Sequence, residues 1–270
     1  MDIIKLTSLF FILTLTSCTL FKKGKTSTNY FVDEEKTHFV CFFCDNIYDD
    51  TSILQIKRLD VEDKNHIISS ELSNFKKLEE LVIIGKNVSF DSDIKNILSL
   101  KVFNYWGNGL QEPPFGILNS ENLEQVLLVL KNDESYKNVS YEALGNIKDL
   151  WISFDNLEEI PAQIFTYKNL EVLKITVENK IIGINSKIEK LTRLKKVFLP
   201  IRLDSNNFYF NSSDLLVIGV REILLDSTLI EKIKKVESLK EIHIEKIDKE
   251  DLKELKIKLP DIQIKQSPLL

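Results

Sequence analysis

Leu100-Lys101-Val102-Phe103-Asn104-Tyr105-Trp106-Gly107-Asn108-Gly109-Leu110 opens on an apolar residue and places two more at its fourth and sixth positions. The same six-residue phrase, apolar-x-x-apolar-x-apolar, occurs ten times between Ile56 and Ile264 at intervals of 19 to 26 residues. Read at positions 1, 4 and 6, the copies are Ile56/Leu59/Val61, Leu78/Leu81/Ile83, Leu100/Phe103/Tyr105, Leu123/Val126/Leu128, Ile147/Leu150/Ile152, Leu170/Leu173/Ile175, Leu194/Val197/Leu199, Val220/Ile223/Leu225, Leu239/Ile242/Ile244 and Leu259/Ile262/Ile264. Positions 4 and 6 are separated by the strand period, so they face one way while positions 3, 5 and 7 face the other. Such a period predicts a solenoid with one short strand per repeat, each repeat too small to bury its apolar face without its neighbours.

Between the strands, residues 93–98, 141–147, 162–170, 187–194, 229–239 and 249–259 have helical spacing and composition. Strand and helix in alternation predict a parallel sheet covered on one side by helical turns. These residues resemble the leucine-rich-repeat family, whose phrase is L-x-x-L-x-L-x-x-N-x-L. The resemblance spans 56–264, and its nearest copies run from Leu100 to Asn108 and Leu110 and from Ile147 to Asp155 and Leu157. It implies an α/β solenoid, a leucine-rich-repeat horseshoe with about ten parallel strands on the concave face and helical or irregular segments on the convex face. The family's turn asparagine is replaced by Lys86, Lys131, Glu178 and Arg202, so those turns need other partners. The 26-residue step from Val197 to Ile223 predicts a bulged loop around 206–211, and the final steps of 19 and 20 residues predict a shortened C-terminal cap.

Residues 1–17 read as a signal peptide. Lys5, with Asp2 nearby, precedes an apolar stretch from Leu6 to Leu15, about half of the roughly 20 residues a spanning helix needs. Leu15-Thr16-Ser17-Cys18 resembles the bacterial lipobox, which implies that Cys18 becomes a lipid-modified N-terminus. The alternative is an ordinary secretory signal with an incidental cysteine. At about 0.8 kcal/mol per buried methylene, two or three acyl chains hold a protein at a bilayer. Residues 18–29 then form the lipidated Cys and a flexible tether, 30–55 an N-terminal cap with 37–44 as its edge strand, and 56–270 the repeat domain. The expected address is the bacterial cell envelope, lipid-anchored at the outer membrane, since Thr19 is not the Asp that favours inner-membrane retention.

Hydrophobic residues at 43% and charged residues at 29% describe a globular chain. A net charge of -5 with interspersed signs excludes a nucleic-acid footprint, which needs a concentrated basic face. Cys41-Phe42-Phe43-Cys44 admits a thiol oxidoreductase, but no helix follows to stabilise a thiolate, and the phenylalanines favour a structural strand. His38, His66 and His243 are too dispersed along a solenoid for a metal cluster or triad, and the 8 glycines form no phosphate loop. No cofactor, metal or catalysis is expected.

Counting outward from the buried positions maps the inner face. Trp106 and Trp151 both fall on it, joined by Val82, Ile84, Leu127, Val129 and Phe198 as the candidate binding residues. The eighth copy contributes Glu222, Leu224 and Asp226 to the same face. An exposed apolar patch of this extent predicts a protein partner. A glycan stacked on the tryptophans is the alternative within binding, and a second buried core layer is the reading without a ligand.

Overall fold

The structure, a computed structural model, describes residues 21–23, 29–32, 38–42, 55–64, 67–68, 70–86, 88–91, 97–107, 115–118, 120–130, 146–177 and 182–268, with the backbone alone over 21–42 and at 63, 64, 67, 71, 86 and 115. The first elements are β1 (Phe21–Lys23), β2 (Asn29–Val32), β3 (His38–Phe42), β4 (Arg58–Lys64), β5 (Ile67–Ile68), the 3-10 helix η1 (Ser70–Asn74), β6 (Glu80–Lys86) and β7 (Ser89–Phe90). Then come β8 (Val102–Gly107), α1 (Phe115–Leu118), β9 (Gln125–Leu130), β10 (Asp149–Phe154), η2 (Ala162–Thr166), β11 (Val172–Val177), η3 (Ser186–Lys190) and β12 (Lys196–Leu203). The last are β13 (Val217–Ile223), α2 (Ser227–Lys234), β14 (Glu241–Lys246), α3 (Lys249–Lys258) and β15 (Gln263–Gln266). All the strands except β5 and β7, which pair with each other, form one 13-stranded sheet in chain order. From β3 to β15 every neighbour in that sheet is parallel. This is a parallel-sheet solenoid with one strand laid down per turn, the architecture that the leucine-rich-repeat resemblance implies.

Positions 1, 4 and 6 supply the core. Leu78, Leu81, Ile83, Leu100, Phe103, Tyr105, Leu170, Leu173 and Ile175 are all 0% exposed, and each buried Leu or Ile of this kind contributes about 1.5–3 kcal/mol. Tyr105 is unusual in such a column. Its hydroxyl donates to the Gly85 carbonyl at 3.4 Å, and burial pushes its phenol up to about 12. That packing leaves no room at Gly107, where a Cβ would stand 2.0 Å from the Gly85 oxygen and 2.6 Å from the Tyr105 hydroxyl.

The strand entrances are locked by shared carbonyls. Lys57 O accepts from Glu79 N at 2.7 Å and Glu80 N at 2.9 Å, and Glu79, Lys101, Glu124, Lys148, Glu171, Lys195 and Leu216 repeat the arrangement. The side chains at this second position alternate in charge from Lys57 to Lys195. Lys101 meets Glu79 at 3.0 Å, Lys148 meets Glu124 at 2.9 Å and Lys195 meets Glu171 at 2.7 Å. Two residues before that position, Asn122 Nδ2 donates to Leu98 O at 2.6 Å, Asn146 Nδ2 donates to Glu121 O and the Ser238 hydroxyl donates to Leu215 O, while Ser212, four residues before Leu216, donates to Thr192 O. Side chains that tie repeat to repeat therefore also sit at the strand entrances, away from the expected turn-asparagine position at the strand exits.

Two copies of the phrase are displaced from their expected places. The eighth is Leu215/Ile218/Val220, because Ile218 pairs with Val197 and Val220 with Leu199. In the tenth, Ile264 pairs with Ile242, two residues from the expected alignment. Their fourth positions then run Leu59, Leu81, Phe103, Val126, Leu150, Leu173, Val197, Ile218, Ile242 and Ile264, with steps of 21 to 24 residues. Neither a 26-residue step nor the short terminal steps remain. Asp226 caps α2 by accepting from Leu229 N at 2.7 Å, and Leu224 is 57% exposed outside the strand; neither belongs to the inner face.

The bulge lies in β12 rather than at 206–211. One extra residue separates Leu199 from Arg202 opposite β13, in the stretch that contains Pro200, which has no N–H to give. Pairing between β11 and β12 covers only Val172–Lys174 against Lys196–Phe198. Arg221, 8% exposed, spans this defect: Nη2 donates to Val177 O at 2.8 Å and Nε meets Glu245 at 3.2 Å. Residues 206–211 begin instead with a turn held by Asp204 Oδ1, which accepts from the N–H groups of Asn206 and Asn207.

On the outer side, the helices expected over 162–170 and 187–194 are the short 3-10 turns η2 and η3, while 229–239 and 249–259 contain the α-helices α2 and α3. Most of the helix expected over 93–98 and most of that over 141–147 lie outside the described residues. At the other end, β3 occupies the strand expected over 37–44 but is not the sheet edge. β2 and then β1 extend it antiparallel, and β1 falls within the expected tether.

Reversing one charge of the entrance ladder tests whether it contributes. Glu124→Lys sets three ammonium groups on adjacent strands, and urea unfolding at low salt is expected to show a loss of about 1 kcal/mol that 1 M NaCl largely restores.

Candidate functional site

Position 5 of each copy forms one row across the inner face: Asp60, Val82, Asn104, Leu127, Trp151, Lys174, Phe198, Gly219, His243 and Lys265, aligned strand to strand. Strands two apart are separated by about 9.6 Å, yet rings on such strands meet across the intervening one. Trp106 on β8 and Trp151 on β10 pack edge to face at 6.2 Å, and Phe198 on β12 and His243 on β14 do so at 5.7 Å. The strands between them carry Leu127 on β9 and Gly219 on β13, both buried in the floor. Lys174 rises between the two pairs, its Nζ 3.9 Å from the Trp151 ring centroid and 5.9 Å from that of Phe198.

The charges around this ridge are uneven. Desolvation pushes the Lys174 ammonium down to about 8, and it raises the Asp149 carboxyl against the opposing pull of Lys196. Towards the N-terminal end, Arg58 meets Asp60 at 3.0 Å and Glu80 at 3.1 Å. At the other end, the His243 ring joins Ser267 Oγ at 3.1 Å and Glu241 Oε2 at 3.0 Å, and Lys265 meets the same carboxylate at 2.7 Å. The Lys265 and His243 bonds hold the Glu241 carboxyl below its ordinary value.

Of the seven candidate residues, Trp106, Trp151, Phe198 and Ile84 are half-buried with surface left to offer. Val82 and Leu127 are 6% and 8% exposed, so they are floor rather than patch. They stand outside the main core cluster, whereas the half-buried Val129 packs against it. The expectation of a continuous apolar patch is corrected to a narrower aromatic ridge, because Val82 and Leu127 are buried and the rings meet across the strands between them. Lys174 and His243 complete that ridge. Gly219 and Arg221 enter the face only once the eighth copy takes its observed alignment.

Cys18, Cys44 and His66 lie outside the described residues, and for His38 and Cys41 only their place in β3 is described. Among the described residues, no group of three or more His, Cys, Asp or Glu could hold a metal, and no helix is long and apolar enough to cross a membrane.

No protein-family profile matches the chain, and no curated protein is similar to it. Among solved structures, an internalin from Listeria monocytogenes is similar at 12% identity over 83% of this chain and 73% of its own, with a TM-score of 0.41. A leucine-rich-repeat protein from Leptospira interrogans is similar at 16% identity over 80% of this chain and 67% of its own, with a TM-score of 0.40. The repeat architecture stands on this chain's own strand register and buried columns.

Lys174 should lower stability at neutral pH. Its folded value of about 8 lies below the ordinary 10.5, so between those values the unfolded chain binds more protons and stability rises with pH. Below about 8 the whole penalty is present, offset in part by the cation–π contact. Lys174→Met is therefore expected to be more stable than the wild type at pH 7 by about 1 kcal/mol after solvent screening, with the difference shrinking towards pH 10.5, as read by urea unfolding.

Proposed function

We propose that this chain binds a protein partner through the inner face of its sheet, and that lipid on Cys18 holds it at a bacterial envelope, at the outer membrane. The observation that carries the binding reading is the ridge of Trp106, Trp151, Lys174, Phe198 and His243. It crosses seven consecutive sheet strands, a span of roughly 29 Å. Half-buried aromatic side chains offer large contact area at small conformational cost, which is why they dominate binding energetics at interfaces.

The same geometry disfavours a sugar as ligand. Stacking needs an open ring face, but Lys174 lies over Trp151 and the Trp106 ring meets it edge to face. A thiol oxidoreductase is also disfavoured, because Cys41 lies in a strand flanked on both sides by paired strands rather than at a helix start. The anchor rests on the apolar leader and Leu15-Thr16-Ser17-Cys18.

Crosslinking the full-length protein in membranes of its source cells tests the face. The partner recovered with wild type is expected to fall about tenfold or more with Trp106→Ala/Trp151→Ala, and equal recovery would tell against it. The anchor has its own readout. Wild type is expected to incorporate labelled palmitate and partition into detergent, and a Cys18→Ser protein that still did both would exclude lipid at that residue.

A further inference from the structure

Lys174 is set apart by being half-buried as well as unpaired, whereas Lys196 and Lys246, which also lack an ion pair among the described residues, are exposed. Arg58 meets Asp60 and Glu80, Arg202 meets Glu222, Arg221 meets Glu245 and Lys265 meets Glu241, each within 3.2 Å. Lys174 instead lies between Trp151 and Phe198 in its row, and among the described residues no carboxylate is within ion-pair distance of its Nζ. On its own strand, the flanking inner-face positions are Val172 and Thr176, neither charged. A half-buried ammonium in this setting has lost water without gaining a counter-charge.

We infer that Lys174 determines specificity and that the face takes an acidic peptide segment of its partner, in which one Asp or Glu carboxylate is flanked by apolar or aromatic side chains. This rests on the protein-binding reading above. Trp151 and Phe198 stand on strands about 10 Å apart, which leaves room for one side chain to descend between them onto the ammonium. The flanking apolar groups of that segment meet the two ring pairs. A carboxylate supplies the missing charge in a partly desolvated place, whereas a neutral segment removes the remaining water and leaves the cation unpaired. A polyanionic polysaccharide would call for a row of cations; one ammonium between rings suits a single carboxylate.

The test is selection of a phage-displayed random dodecapeptide library on immobilised full-length protein. Selected peptides are then synthesised with their acid intact or changed to the amide. We expect a recurrent Asp or Glu beside Phe, Trp or Leu. Amide replacement and Lys174→Met should each weaken binding about tenfold or more, and together should weaken it no further than either alone. Lys174→Met removes a charge from apolar surroundings, and its thermal melt checks that it remains folded. Peptides that require Trp106 and Trp151 but show no acidic preference, or bind Lys174→Met equally, would overturn the inference and leave protein binding intact. Selection of no tryptophan-dependent peptide, or Lys174-dependent capture of heparin instead, would overturn both. Self-association abolished by Lys174→Met would assign the face to a second copy of the chain and likewise overturn the inference.

Discussion

A carbonyl that accepts two amide protons from the following repeat is the contact on which the rest of this molecule depends. At Lys57, Glu79, Lys101 and their successors, it fixes where each strand starts relative to the last. Parallel strands have no hairpin turn to set their alignment, and a slip of one residue exchanges the buried and exposed sides. Alignment at the strand entrance therefore decides which side chains share a row. Once the rows are set, positions 1, 4 and 6 stack into one core and position 5 becomes a line of neighbours drawn from sequence-distant repeats.

That line combines stabilising and costly elements. The ring pairs are packed and contribute favourably, and Gly219, which has no side chain, leaves room for the pair that meets across it. Lys174 does the opposite, since its ammonium is held where water is scarce. A residue that lowers the stability of its own fold while facing solvent is the kind a binding surface retains, because the missing interaction is completed only by another molecule.

The core was legible in the sequence because burial on one side of a strand leaves a two-residue signature that survives changes of residue type, Tyr105 included. Helix type was less legible. Spacing alone does not separate a single 3-10 turn such as η2 from an α-helix such as α3, because both place apolar residues three or four apart. The eighth copy shows a sharper limit. Leu215/Ile218/Val220 and Val220/Ile223/Leu225 both satisfy the phrase, and only pairing with Val197 and Leu199 decides between them. The candidate site was legible as a face but not as a surface. Sequence period places Val82 and Leu127 beside the tryptophans, but period alone does not show that both are buried as floor.

Arg221 changes how far one repeat is coupled to another. In a solenoid held only by adjacent contacts, stability is a chain of nearest-neighbour terms, and the stack parts first at its weakest joint. The joint between β11 and β12 is a place of short pairing, with three aligned residue pairs beside the Pro200 bulge, as few as between β8 and β9. The Arg221 guanidinium reaches Val177 on the far side of β12, a contact spanning 44 residues. Coupling here thus extends over two repeats, which adds a longer-range contact to the nearest-neighbour ones.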